Sequence, residues 1–496
     1  MASDAIVSKA EINQSAHDHL KNILVEGDPM NSSMSSEALN STLKKLQKPK
    51  KEGEEARVVD KDVAFFEEDG GRLHEPLWQA IEANDVEAAT GFLNLNEIEE
   101  QNMYDAQGQS MLHKAAQLGH ADMLMLLLER TGAKPDMVNS TLATPLHVAC
   151  RSDRANVVKF LIGCGVEANV QDEHGQTPLL ICSIHGFGEL ISLLVESSIA
   201  GHLPEPLETD TADHRGLTAL NCAAIKGDLE IVKTLISRGQ ADVNQTSPKG
   251  CTPLIYAGRG GYQDVVRYLL EKRASPLKQD NAGGTVLHHA IEKGHLAVLE
   301  VMLEHGVDVY SAIELADNAG RTPLFEAVEM EEENQFGVEE EGDAPSKVEN
   351  LIRILTKPKR RQDGGFGAKV NITNYGGQTP LFSAIKQGNF AAARTLIAVG
   401  AQADLNGGEL VKEEEQAETR DEDYDSIQEK CFMEAFTNCM TPLHVAAALG
   451  YDEMALYLVE HGADVNLQTN YRRYTALHMA VLSNKPEMLI ELLTKT

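Results

Sequence analysis

The sequence predicts an all-α repeat solenoid, and three observations predict it. The tetrapeptide Thr144-Pro145-Leu146-His147 returns as Thr441-Pro442-Leu443-His444, and degenerate copies begin at Glu75, Ser110, Thr177, Thr218, Thr252, Thr285, Thr322, Thr379 and Thr475, mostly spaced near 33 residues. Between copies run apolar stripes of helical period, such as Val157-Val158-Lys159-Phe160-Leu161-Ile162 and Ile231-Val232-Lys233-Thr234-Leu235-Ile236. Glycines punctuate both halves of the unit. So short a unit cannot bury its own apolar face, so the eleven copies must stack on a continuous core.

Each position of the copy at Thr144 has a physical reason. The Thr144 hydroxyl is placed to accept an early helical N–H, and Pro145 sits at the first helical position, where no donor is needed and its φ already fits. Leu146, Val148 and Ala149 then face inward. The first helix ends at a glycine able to take positive φ, as at Gly119, Gly186, Gly227, Gly261, Gly294, Gly388 and Gly450. A second glycine stops the second helix, such as Gly165, Gly239, Gly306, Gly400 or Gly462. Ala241-Asp242-Val243-Asn244 and Ala463-Asp464-Val465-Asn466 then lead into the next copy. Together these phrases resemble the ankyrin repeat, over roughly residues 72 to 496. The resemblance implies an ankyrin-type α-solenoid over 75–496, with helix pairs joined by hairpin fingers.

The pattern departs from the family at identifiable places. The first copy, Glu75-Pro76-Leu77-Trp78, has Asn84 where the turn glycine belongs, as a terminal cap does. Extra residues at 197–211 lengthen a finger, and acidic insertions fall near 329–345 and 406–430, so irregular chain is expected near 197–211, 331–345 and 406–425. The last copy is expected to leave an apolar edge around Met479, Leu482, Met488 and Leu492.

At 496 residues the chain exceeds a usual single core, but a solenoid evades that limit because each repeat packs only on its neighbours. Half of the formal charge of −32 sits in two segments, Glu329–Asp343 with eight acids and no base, and Glu409–Glu429 with ten acids against Lys412 and Arg420. Phosphate attraction needs an extended basic surface, so a general nucleic-acid or anionic-membrane binder is excluded. Neither a cationic start with an apolar core nor a run of about 18 apolar residues is present, so no secretion signal or membrane span is expected. The cytoplasm is the expected location. The clusters Lys48-Pro49-Lys50-Lys51 and Lys357-Pro358-Lys359-Arg360-Arg361 raise nuclear entry as the alternative. Of seven cysteines, Cys150, Cys182 and Cys222 read as small apolar residues of first helices, and no disulfide framework is expected.

Residues 1–60 are rich in Ser, Asn and Lys and read as a disordered polar tail. Leu39, Leu43 and Leu46 share a helical face within Ser35–Gln47, either a partner-bound helix or a transient one. Residues 61–74 form a cap or linker. Within it, Lys61, Val63 and Phe65 match the short pattern by which regulatory subunits dock on protein phosphatase 1, and an arrangement of this kind ahead of the repeats looks like the myosin-phosphatase targeting subunits. The other reading is that Val63, Phe65 and Phe66 cover the edge of the first repeat.

Chemistry-bearing motifs fail on inspection. Neither Cys-x-x-Cys nor His-Glu-x-x-His occurs, nor a Gly-x-x-x-x-Gly-Lys phosphate loop, and Gly258-Arg259-Gly260-Gly261 falls where a first helix ends. Asp421-Glu422-Asp423-Tyr424-Asp425 opens like a calcium loop, but Ser426 and Phe432 stand where Gly and the bidentate Glu are required. Ser426–Phe436 reads as an added helix. No catalytic residue, metal or cofactor is therefore expected. The resemblance implies that His113, His147, His288, His444 and His478 brace their turns by hydrogen bonds.

Ankyrin-like stacks grip partners with the fingertips and the ends of the first helices, which line a concave groove. Seven and eight residues past the motif starts lie Arg151, His185, Lys226, Arg259 and Lys293, with Lys386 further on; fingers add His174, Arg215, Lys249 and Arg321. This basic stripe is either an ordinary solvated face or a seat for an acidic peptide, with Glu329–Asp343 folding back as a tethered competitor. The leading function is a non-catalytic scaffold or adaptor holding a partner protein in the groove. The alternatives are a targeting subunit of protein phosphatase 1 and the cytosolic interaction domain of a larger assembly.

Overall fold

The computed structural model describes residues 74–95, 104, 105, 107–305, 311–330, 346–357, 368–405, 440–469 and 473–495. All belong to the second of the two units into which the chain divides, Asp62–Thr496. The 1–60 tail with its Ser35–Gln47 segment, the docking residues Lys61, Val63 and Phe65, Gly306, the basic residues at 48–51 and 358–361, the stretches 331–345 and 406–430, and the Asp421–Phe432 and Ser426–Phe436 segments lie outside the described residues.

Among the described residues eleven helix pairs follow one another. They are α1 (Glu75–Ala83) and α2 (Val86–Leu95), α3 (Met111–Leu118) and α4 (Ala121–Thr131), α5 (Pro145–Arg151) and α6 (Ala155–Gly163), and α7 (Pro178–His185) and α8 (Gly188–Ile199). Next come α9 (Ala219–Lys226) and α10 (Leu229–Ser237), α11 (Pro253–Arg259) and α12 (Gln263–Glu271), and α13 (Val286–Glu292) and α14 (Leu296–Glu304). The series closes with α15 (Pro323–Glu329) and α16 (Lys347–Thr356), α17 (Pro380–Lys386) and α18 (Phe390–Ala398), α19 (Pro442–Leu449) and α20 (Asp452–Glu460), and α21 (Ala476–Leu482) and α22 (Pro486–Lys495). No strand occurs among the described residues; one isolated bridge pairs Tyr104 with Ser110.

The motif explains why each first helix starts where it does. Thr177 accepts the Leu180 N–H at 3.3 Å and Thr441 that of His444 at 3.4 Å, caps each worth about 1 kcal/mol. Histidine at the fourth position adds two further bonds. In the copy at Thr144 the backbone N–H of Thr144 donates to His147 Nδ1 at 3.1 Å, so Nε2 carries the proton and donates to the Val170 and Gln176 carbonyls at 3.0 and 3.1 Å. One ring thus ties a helix start to the next finger. His113, His288 and His444 repeat the arrangement onto the carbonyls of Ala143, Arg321 and Tyr474. Burial keeps these rings neutral and pushes His113 and His147 down to about 4.

Successive first helices pack on one another, as do most successive second helices, and the apolar core runs unbroken from Leu77 to Leu492. Each fully buried Leu or Ile contributes about 1.5–3 kcal/mol by leaving water. The acidic insertion near 331–345 falls inside a repeat, between α15 and α16, and α17 still packs directly on α19 across residues 406–439.

Several local expectations are corrected. Val148 is only half-buried, because the first helix turns its +2, +5 and +6 positions counted from Thr144, Leu146, Ala149 and Cys150, to the core. After α10 the left-handed residue is Gln240 (φ 59°), not Gly239. Residues Ser197–Ile199 extend α8 rather than looping, and Leu203 and Thr209 of the long finger are buried. Met479, Met488 and Leu492 point back into the preceding repeat and are buried, with Leu482 partly so. The open apolar edge is instead Val481, Ile490 and Leu493, beside a shallow cavity of about 290 Å³ lined by Tyr474, Leu477, His478, Val481, Leu489 and the expected Leu482.

Candidate functional site

Five of the fingers are closed by an aspartate five residues before the motif start, at Asp105, Asp172, Asp213, Asp280 and Asp317, and Asn139 and Asn374 take the same place before Thr144 and Thr379. Oδ1 of Asp172 accepts the N–H groups of His174 and Gln176, both at 2.9 Å, and Oδ2 accepts from Arg151 at 3.1 Å. Asp213 accepts from Arg215 and Leu217 N–H and holds the Arg215 guanidinium at 3.0 Å. Asp280 accepts from Ala282 and Gly284 N–H and from His289 Nε2 at 2.8 Å. Asp317 accepts from Ala319 and Arg321 N–H, and the Arg321 fork closes on it at 2.7 and 3.0 Å. One carboxylate oxygen therefore shapes the turn while the other fixes a base, both as charge-assisted bonds. Before Thr252 the acid is replaced by Ser247, which takes a hydrogen bond from the Tyr256 hydroxyl at 3.0 Å.

Neighbouring fingertips touch through backbone, which is why their glycines are needed. Gly283 has φ 80°, and a Cβ there would lie 2.6 Å from the Asn318 nitrogen, whose N–H donates to the Ala282 carbonyl.

The predicted stripe separates into two kinds of residue. Arg151, Arg215 and Arg321 are engaged by finger aspartates, and Arg321 also meets Glu326 at 3.1 Å and Glu329 at 3.3 Å. Lys293 pairs with Glu292 at 3.0 Å. His185 stacks on Phe187, ring centroids 5.5 Å apart, and its pKa is lowered by partial burial and then by the charges of Lys226 and Arg151. His185 thus feels Arg151 of the repeat before it and Lys226 of the repeat after it.

A second grouping surrounds the finger with Ser247. Burial pushes the Cys251 thiol up to about 11, Asp280 adding to it, against the opposing charges of Arg259 and Lys249. Burial likewise lifts Cys222 to about 12 against Arg215 and Lys226. Lys249 and Arg259 therefore lie within electrostatic reach of Cys251, beside the finger that carries Ser247, and Lys226 lies within reach of Cys222 on the preceding repeat. Ile225, next to Lys226 on α9, is 41% exposed. Of the proposed acidic lid only Glu329 and Met330 are described, and Glu329 accepts from Ser383 at 2.8 Å as well as pairing with Arg321.

His289 was absent from the predicted set. Burial disfavours its charged form, but the hydrogen bond to Asp280 and an ion pair to Glu292 at 3.6 Å outweigh it and raise its pKa to about 9. The imidazolium and then Lys293 in turn hold Glu292 down to about 2. The finger acids were also missed, although Asp105, Asp172, Asp213, Asp280 and Asp317 recur at one offset from the motif and were recoverable from it. Among the described residues no group of three or more His, Cys, Asp or Glu is placed to hold a metal ion, and no helix is long and apolar enough to cross a membrane.

Comparison with known proteins agrees with this architecture. The model of the family described as ankyrin repeats (3 copies) matches residues 77–172, 126–210, 146–247, 199–280, 274–337 and 420–496. The chain is 29% identical over 208 residues to the B-cell lymphoma 3 protein homolog of Mus musculus, covering 41% of this chain and 45% of that one. It is 25% identical over 378 residues to transient receptor potential cation channel subfamily A member 1 of Homo sapiens, covering 74% of this chain and 29% of the channel. The chain thus spans less than half the length of either relative. The crystal structure of the ankyrin repeat domain of Bcl-3 aligns with a TM-score of 0.41 and 27% identity, over 50% of this chain and 99% of that domain.

Proposed function

The chain belongs to the ankyrin-repeat family, and on that premise we propose that it is a non-catalytic adaptor that holds an acidic segment of a partner protein between its fingertips and first-helix ends. Ankyrin repeats mediate protein–protein interaction; the chemistry of the partner follows from this chain's own residues. The observation that carries the reading is that Lys249 and Arg259 lie within reach of Cys251 beside the finger where Ser247 replaces the aspartate of its neighbours, with Lys226 within reach of Cys222 on the repeat before it. At two other fingers the acid in that place holds a basic side chain, as Asp172 does Arg151 and Asp317 does Arg321. A partner carboxylate at the Ser247 finger takes the place the missing aspartate would fill. Ile225, next to Lys226, offers apolar contact, and such anchors supply most of the affinity while the charges set encounter rate and register.

The test is capture from cell lysate by the full chain and by the double charge reversal Lys226→Glu/Arg259→Glu. The reversal is expected to lose the captured proteins, whereas Lys159→Glu, exposed on α6 away from this face, keeps them. Identical capture by all three forms refutes the seat.

A further inference from the structure

Three kinds of polar link join successive repeats along the face of fingertips and first-helix ends. The first is the fourth-position histidine, as His147 to the next finger and His288 to the Arg321 carbonyl. The second is a fingertip ladder of backbone bonds. Ser140, Glu173, His214, Asn281, Asn318 and Tyr375 each donate to the finger before, at 2.9–3.2 Å. The third starts at the turn between helices: His120 to Ile81, Arg154 to Gln117, His295 to Arg259 and Asn389 to Val328, all onto carbonyls.

The junction between the fifth repeat (α9, α10) and the sixth (α11, α12) has none of the three. Asn221 replaces the histidine, is fully buried, and leaves both its amide nitrogen and oxygen without a hydrogen-bond partner. Pro248 occupies the ladder position and has no N–H to give the Arg215 carbonyl. Tyr262, at the turn position, covers Gly227 with its ring and makes no polar link. The neighbouring junctions each keep at least one: His214 to His174 before it, and Asn281 to Lys249 with His295 to Arg259 after it.

Among the described residues, further polar links between these two repeats lie at the second helices and finger bases. Ser237 and Tyr268 share a hydrogen bond at 2.7 Å, Thr209 donates to the Gly239 carbonyl at 3.1 Å, and the Asp242 N–H donates to Asp210 at 3.1 Å. Apolar packing of α9 on α11 resists separation but has no directional preference to fix the angle. We infer that this junction is a hinge, with its axis along the second helices and finger bases, which lets the fingertip face open and close. Lys226 lies on one side of it and Lys249 and Arg259 on the other. On the acidic-partner reading above, a bound carboxylate segment spans the hinge and sets its angle.

The hinge is tested on the full chain without any partner, by distances between spin labels carried on unnatural amino acids at fingertips. A pair at His214 and Ala282 spans the junction; a pair at Ala282 and Tyr375 spans two linked junctions and serves as control. The spanning pair is expected to show the broader distance distribution. Asn221→His, which reaches the Cys251 carbonyl, combined with Pro248→Asn, which restores the ladder donor, is expected to narrow it to the control's width without lowering Tm. Equal widths in the unmodified chain overturn the hinge, as does an unchanged width in a double variant that melts normally. Adding octaglutamate is a separate arm. Narrowing supports a seat that spans the hinge, while a broad distribution that ignores the peptide overturns that seat and leaves the hinge standing.

Discussion

His147→Gln is the substitution whose pH dependence is most sharply fixed by the structure. In the folded chain the His147 ring is neutral, buried, and bonded at both nitrogens, with a pKa near 4 against 6.5 in the unfolded chain. Between these values the unfolded chain binds the proton and the folded chain does not, so stability falls as pH falls from 6.5 towards 4. The linkage amounts to about 1 kcal/mol lost by pH 5.5 and about 3 kcal/mol by pH 4. Glutamine carries its donor and acceptor on one carbon, so it cannot bond on both sides as the ring does, and it has no such titration. Urea unfolding at pH 7, 5.5 and 4 should therefore show the native chain ahead of His147→Gln at pH 7, by about 1–3 kcal/mol for the ring's lost bonds, with the gap closing on acidification. Groups common to both proteins cancel in the difference. A gap that stays constant from pH 7 to 4 refutes the neutral buried brace.

Three other outcomes follow from the same geometry. His289, raised to about 9 by Asp280 and Glu292, contributes stability that is complete below about pH 6.5 and lost as pH rises through 9, so Tm should fall over that window in the native chain and less in His289→Gln. Gly283→Ala, which forces a left-handed residue against the Asn318 nitrogen, should cost about 1–3 kcal/mol in urea melts, whereas Gly163→Ala, in open space on α6, should be near neutral. Val63→Ala/Phe65→Ala should abolish capture of protein phosphatase 1 with the helical circular dichroism unchanged, and absence of capture by the native chain disposes of the targeting-subunit reading.

Much of the fold was legible because its determinants are local. Thr177 caps and the positive φ of Gly119 or Gly450 depend on a few adjacent residues, and Asn84 at φ 55° serves where glycine is missing for the same reason. Failures came where rotation of a helix or partners distant in sequence decide. Val148 and Cys150 differ by two positions on one helix, and only packing chooses which faces the core. Met479 and Val481 exchanged roles at the last repeat for that reason. The stripe of basic residues was visible by offset, but not that Arg151 would be held by Asp172, 21 residues on, while Lys226 would not. Charge type is written in sequence; neutralisation is a property of the folded neighbourhood.

The central claim, that the fingertip and first-helix face around Lys226, Lys249 and Arg259 seats an acidic partner segment, is tested most directly by placing a photo-crosslinking amino acid at Ile225 and, separately, at Lys159 on α6, then identifying the joined peptides after capture from lysate. Adducts from position 225 with peptides rich in Asp and Glu, and none of them from position 159, are the predicted result. Adducts formed only from position 159, or peptides at position 225 without acidic character, would contradict it.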